Sequence, residues 1–323
     1  MKKSRKIGLI AAIVLMVVGA GISVITFAAS GFDPEKFQPG HAPEEQSVDI
    51  SGEAIDTLVV SYLDFDASYG LEIIPSEDGD FHVTYASRTD ETLVTDVKDG
   101  ALRLSCAETS DWRRHIGFGW RVNVSERSPV QIAVPASVAT VDLRETADII
   151  TCENLNLSGD LLFYCSAVDL RVRDCSVAGE LRVEGDAGDV TAEGVSAGTF
   201  TAKIDASLLS LDNVSGDVFE LRADYGDIRF SELSVGKSLA VIADWGDVKG
   251  TVVGKSSDFT IHSKTDFGDN NLSPLRGDGA KTLIIRTDGG DVDISFLGDE
   301  DGSGAIVFNG DDGDEDEDDF DIE

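Results

Sequence analysis

The chain has 323 residues, of which 61 are acidic and 26 basic, for a formal charge of −35. A surface this acidic repels polyanions, which excludes nucleic-acid binding as a function class. The apolar share, 41%, is that of a chain that folds, and 33 glycines against 7 prolines imply many tight turns and few stiff linkers.

Lys2, Lys3, Arg5 and Lys6 precede an uncharged run from Ile7 to Phe27. As a helix this run would span roughly 31 Å, close to the hydrocarbon thickness of a bilayer, about 30 Å. The basic flank favours a cytoplasmic N-terminus and an extracytoplasmic bulk. Ala28-Ala29-Ser30 offers small residues to a signal peptidase. The apolar run nevertheless exceeds the usual h-region of about 7–15 residues, so an uncleaved single-pass anchor is predicted within 1–30. Residues 31–47, with Pro34, Pro39 and Pro43, read as a spacer.

Residues 48–137 read as an N-terminal β region. Leu58-Val59-Val60, Leu71 to Ile74, Phe81 to Tyr85, Leu102-Arg103-Leu104 and Val130 to Val134 have strand character. Asp78-Gly79-Asp80 and Lys98-Asp99-Gly100 have hairpin-turn composition. The region is expected to cap a larger stack, because an open stack end is an exposed sheet edge.

Residues 138–298 repeat. Asp186-Ala187-Gly188-Asp189 recurs at Asp224, Asp244, Asp266 and Asp288 in the form Asp-x-Gly-Asp, with offsets of 38, 20, 22 and 22. Asp205-Ala206-Ser207-Leu208 is a degenerate copy at the midpoint of the long offset. Between markers the apolar residues alternate, as in Phe200, Ala202, Ile204 and Leu239, Val241, Ala243, which marks strands with one buried face. Each marker is read as a turn in which Asp bonds its own backbone and Gly takes positive φ. A second glycine per unit (Gly179, Gly198, Gly216, Gly236) is read as a second turn. A unit of about 20 residues buries no core alone, but stacked units do. The predicted fold is therefore all-β: a β-solenoid or β-helix-like stack of about eight rungs, preceded by one transmembrane helix. An antiparallel sandwich is the alternative. Residues 299–323 form an acidic tail, with ten acids among the last thirteen residues, of a kind that stays solvated.

The order of basic-flanked apolar segment, hairpins, "VQIAVPASVATVDLRETADI" at 130–149 and units such as "VSGDVFELRADYGDIRF" at 214–230 resembles the putative-adhesin family of bacterial envelope β-strand-repeat domains. The resemblance covers about 48–297 and implies an exported β-repeat domain without established enzymatic activity. It carries over no catalytic residue.

Four features are candidate sites. Asp227, Asp247, Asp269 and Asp291 would align as a carboxylate column that either serves the turns or holds a cation such as Ca²⁺. Tyr225, Trp245 and Phe267 share one slot of successive units and would form either a packing ladder or an exposed stripe for sugar rings or a partner. The segment 111–121, with Trp112, Arg113, Arg114, Trp120 and Arg121, is the one basic aromatic stretch, suited to an anionic partner or to docking on the acidic body. Cys106, Cys152, Cys165 and Cys175 lack paired zinc-ligand spacing; Cys152, Cys165 and Cys175 fall in adjacent rungs and read as buried free thiols, with disulfides, which an even count outside the membrane allows, as the alternative. No Gly-x-Ser-x-Gly or similar nucleophile motif occurs, so the chain reads as non-enzymatic. The expectation is a membrane-anchored, extracytoplasmic binding protein facing cell-wall polymer or a protein partner. An envelope-stress sensor acting through its membrane helix is the alternative.

Overall fold

The computed structural model describes residues 44–299 except 53, 64, 66–67, 88–90, 109–127, 145–148, 168 and 273–278. The predicted anchor and the acidic residues from 300 onward lie outside the described residues. Among those described, no helix is long and apolar enough to cross a membrane.

The described chain is all-β. Its strands are β1 (Glu44–Ile50), β2 (Thr57–Ser61), β3 (Ser68–Pro75), β4 (Phe81–Ser87), β5 (Glu91–Lys98), β6 (Ala101–Glu108), β7 (Ser128–Val134), β8 (Thr140–Arg144), β9 (Ile149–Glu153), β10 (Asn156–Leu157) and β11 (Leu161–Ala167). They continue with β12 (Asp169–Arg173), β13 (Ser176–Ala187), β14 (Val190–Glu193), β15 (Ser196–Ala206), β16 (Leu209–Asp212), β17 (Ser215–Tyr225), β18 (Ile228–Trp245), β19 (Val248–Val252), β20 (Phe259–Phe267), β21 (Lys281–Gly289) and β22 (Val292–Phe296).

Two sheets wind into one solenoid-like stack. The front sheet runs β5-β6-β2-β8-β11-β13-β15-β17-β18-β21-β20. The back sheet runs β1-β4-β7-β3-β9-β12-β14-β16-β18-β19-β22. Most pairs are parallel and in register, so equivalent residues of successive rungs form columns. One front column reads Leu161, Leu181, Phe200, Phe219, Leu239, Leu283. One back column reads Ile150, Leu170, Val190, Leu209, Ile228, Val248, Val292. All of these side chains are buried in one continuous core. Burying a phenylalanine such as Phe219 contributes about 2–3 kcal/mol. In one place a large residue is matched by a small one: Phe230 sits beside Gly250, where a Cβ would run into the Phe230 ring.

Each rung has two corners. In the front-to-back corner, Asp-x-Gly-Asp joins the two sheets. In the back-to-front corner, one residue takes left-handed φ: Asn154 (59°), Asp174 (50°), Gly194 (63°), Asn213 (51°) and Glu232 (52°). Small polar residues adopt this region most readily because the side chain bonds locally, and glycine has no Cβ to clash. The next residue plugs the core: Leu155, Cys175, Val195, Val214 or Leu233. This corner lies before the position expected for the second turn. Gly179, Gly198, Gly216 and Gly236 are instead inside strands, where neighbouring rungs come close. A Cβ on Gly198 would meet the Ala178 carbonyl.

The stack does not follow chain order at its ends. After β19 the chain skips one front-sheet place, lays down β20, and returns with β21 to fill the gap between β18 and β20. Trp245 packs against the inserted strand: its ring lies over Gly289, where any Cβ would come within about 2.6 Å of ring atoms. An aromatic residue in that place would collide with it. At the other end β7 fills the place between β3 and β4. Asp78-Gly79-Asp80 is therefore not a hairpin turn. Asp99-Gly100 is one: both residues have positive φ (53° and 80°), as a two-residue type I′ turn requires.

β1, β4 and β5 pair antiparallel and close this end, while β2 and β3 belong to the parallel stack itself. His82 clasps the edge strand β1: its Nδ1 lies 2.8 Å from Asp49 and its Nε2 2.8 Å from Asp78. The bonds to Asp49 and then Asp78 raise the His82 pKa to about 9, and the bond from His82 lowers that of Asp78 to about 2. None of the four cysteines is in a disulfide, and Cys106 and Cys165 are only partly buried. Cys152 and Cys175 are buried, and burial pushes the Cys175 pKa up to about 11, which leaves it a poor nucleophile.

Candidate functional site: the front-to-back corner

The marker aspartates link rungs rather than bonding within their own turns. Asp227 Oδ1 accepts from the backbone N–H of Asp247 at 3.0 Å, Asp247 Oδ1 from that of Asp291 at 2.9 Å, and Asp291 Oδ1 from that of Asp269 at 2.9 Å. Asp169 and Asp189 do the same for Asp189 and Leu208. The remaining oxygens of Asp227 and Asp247 accept from Arg229 (2.7 Å) and Lys249 (2.6 Å). The Asp247 carboxyl is held below its ordinary pKa by the Lys249 bond and then by the Asp291 N–H. The four aspartates proposed from sequence thus form one column, in the order 227, 247, 291, 269. No three His, Cys, Asp or Glu side chains among the described residues converge as a metal-ligand group.

The marker glycines let the rungs meet. A Cβ on Gly246 would collide with the Gly226 carbonyl, one on Gly290 with that of Gly246, and one on Gly268 with that of Gly290. Backbone bonds run through the same points, from Gly226 N–H to the Trp245 carbonyl (3.0 Å), from Gly246 to Gly289 (2.9 Å) and from Gly290 to Phe267 (2.9 Å). In the degenerate copy, Ser207 stands in this column, and its Oγ is buried without a hydrogen-bond partner.

Tyr225, Trp245 and Phe267 project from this scaffold and are 65%, 56% and 75% exposed. Tyr225 pairs directly with Trp245, but Gly289 stands between Trp245 and Phe267, so the three slots are not consecutive. Sequence reasoning missed two further members. Tyr62 directly follows β2 and Tyr69 is the second residue of β3, and both are exposed. Every exposed aromatic side chain among the described residues lies in or beside a front-to-back corner. Their signal in the sequence was faint, because the loop of 62–67 carries no Asp-x-Gly-Asp. A second column of carboxylates flanks the rings on the front-sheet side. There Asp224 and Asp244 lie 3.2 and 3.9 Å from Arg222, and Asp266 lies 3.3 Å from Lys264. Trp112, Arg113, Arg114, Trp120 and Arg121 lie outside the described residues.

The family model for Toastrack DUF4097 matches residues 60–295, the whole of the stack from β2 to β22. The chain belongs to the Toastrack family. Solved structures similar to this Toastrack chain include a putative adhesin from Bacteroides fragilis (15% identity, TM-score 0.46, covering 78% of this chain and 97% of that one). Two others are a putative cell adhesion protein from Clostridium sporogenes (13%, 0.24, 79% and 99%) and a putative lipid binding protein from Parabacteroides distasonis (14%, 0.28, 79% and 98%). No curated protein matches the chain.

Proposed function

We propose that this Toastrack protein is a membrane-anchored, extracytoplasmic binding protein that presents its front-to-back corner to cell-wall polymer or a protein partner. The observation that carries the reading is that all exposed aromatic side chains among the described residues lie along one edge of the stack. Aromatic rings hold large contact area with few rotatable bonds, so an exposed set on rigid backbone suits recognition. One cavity among the described residues, lined by Phe163, Val183 and Ser207, is about 10 Å³, room for one water and not for a substrate. The basic flank and apolar run of residues 2–27 support the anchor and the orientation.

The test is retention of the full-length protein, in detergent, on envelopes of its own cells. Saturable binding is expected, weaker by about tenfold in a Tyr225→Ala/Trp245→Ala/Phe267→Ala variant. Equal retention of that variant would sink the reading. Exchange of Ile7–Phe27 for an unrelated helix should leave binding and cellular function intact. Loss of function with binding preserved would favour a sensor that signals through its helix.

A further inference from the structure

Resting on that reading, we propose that the corner recognises an uncharged polysaccharide, laid along the stack with sugar rings on Tyr225 and Trp245 and reaching Phe267. The rings stand between two carboxylate columns. On one side are Asp224, Asp244 and Asp266; on the other are Asp227, Asp247, Asp291 and Asp269. Five of these seven carboxylates face a cation: Arg222 is shared by Asp224 and Asp244, Lys264 serves Asp266, Arg229 serves Asp227 and Lys249 serves Asp247, while Asp291 gives its Oδ1 to the Asp269 N–H. The rim is therefore a fringe of mixed donors and acceptors around flat apolar faces. A sugar ring has the complementary shape, with an apolar C–H face and a rim of hydroxyls that both donate and accept.

Charge argues against the other polymers. A polyanion meets a chain of formal charge −35. A polycation must displace lysines and arginines built into the same corner, which hold those five carboxylates at 2.6–3.3 Å in all but one contact. A neutral glycan meets neither obstacle. The spacing also suits a chain-like ligand: Tyr225 and Trp245 are one rung apart, about 4.8 Å, and Phe267 is two rungs beyond Trp245, about 10 Å. The carbonyls of all three residues accept backbone bonds from the adjoining rung, at 3.1, 3.0 and 2.9 Å. The platform is thus ordered before binding, which lowers the entropic cost of association.

The experiment is depletion of the full-length protein, in detergent, by insoluble cellulose, chitin, β-1,3-glucan and starch, with polygalacturonate and chitosan as charged comparators. Depletion by at least one neutral polymer is expected. It should change by less than about twofold between about 0.1 and 1 M NaCl, since no net ionic contact is made. It should weaken about tenfold in Trp245→Ala and in Tyr225→Ala and recover in Trp245→Phe and Tyr225→Phe. Unchanged urea midpoints of these variants would show that the fold is intact. The inference is overturned by depletion on none of the neutral polymers, by depletion on chitosan alone that salt abolishes, or by full binding of the ring variants. If envelope retention survives any of those outcomes, the broader binding reading stands and only the ligand class falls.

Discussion

The two corners of each rung solve one problem, reversing the chain between sheets, by different physical means. The back-to-front corner uses conformation: one residue in left-handed φ, then an apolar plug into the core. Its polar residues, such as the serines Ser176, Ser196, Ser215 and Ser234, form a plain hydrogen-bonded edge, with each N–H bonded to the previous rung's carbonyl. The front-to-back corner uses contact: a carboxylate reaching to the next rung, a glycine that admits a neighbouring carbonyl, and a side chain thrown outward between them. That outward position is where the exposed aromatic rings stand. A corner held by its neighbours rather than by its own side chains is a corner that can carry a function.

The comparison breaks most sharply at glycine. Gly246→Ala should destabilise the protein by about 3 kcal/mol or more, because the new Cβ meets the Gly226 carbonyl and parallel neighbours cannot both give way. At the other corner Asn213→Gly should be neutral or stabilising, because φ is already 51° there and glycine adopts that region without strain. Urea denaturation of both variants measures the difference. Similar losses at the two sites would erase the distinction.

Asp247→Ala should cost about 1–3 kcal/mol by stranding the Asp291 N–H, and Asp247→Asn much less, since an amide oxygen still accepts. The pH dependence has a sign. The folded carboxyl titrates below the ordinary 3.8 of an aspartate, so its contribution is complete above that value and is lost as pH falls. The gap between wild type and Asp247→Asn should therefore close in acid. The gap between wild type and Asn213→Gly should not, because neither residue titrates.

The left-handed column makes a smaller prediction. Glu232 is its one member whose side chain suits that conformation poorly, with φ at 52°. Glu232→Gly should stabilise by about 1 kcal/mol, with its N–H still bonded to Thr251 Oγ1 at 2.8 Å. Asn213→Ala should lose about as much. A loss on Glu232→Gly would mean that this corner, too, depends on contacts rather than on conformation.

Much of this was legible in the chain, and the misses share a cause. The repeated Asp-x-Gly-Asp and the alternation of Phe200, Ala202 and Ile204 were enough to read parallel rungs and their inward faces. The column of Asp227, Asp247, Asp291 and Asp269 was legible as a set but not as an order, because β21 returns to fill a gap and sequence offsets do not encode that. Left-handed residues such as Asn154 and Asp174 were overlooked because a mid-unit glycine is the louder turn signal. Gly198 shows why that signal misled: it answers a carbonyl in the next rung, not a local φ. Tyr62 and Tyr69 were missed because their corner bears no marker, and only the strand order places them on the same edge of the stack, five rungs from Tyr225.

The smallest expected effect on stability is also the one that separates scaffold from function. Trp245 is 56% exposed, and its ring lies over Gly289, which has no side chain to lose contact with. Trp245→Ala should therefore shift the urea midpoint little, within about 1 kcal/mol, as surface substitutions do. If the ring were a packing seal for the corner, its removal would expose the backbone bond from Gly246 N–H to the Gly289 carbonyl, and the loss would approach that of a core residue, about 3 kcal/mol. Tyr225→Ala and Phe267→Ala extend the test to rings one and two rungs away. Three near-silent substitutions in stability, set against Gly246→Ala in the same corner, would show that the glycine and the carboxylates build the corner while the rings are left free to bind.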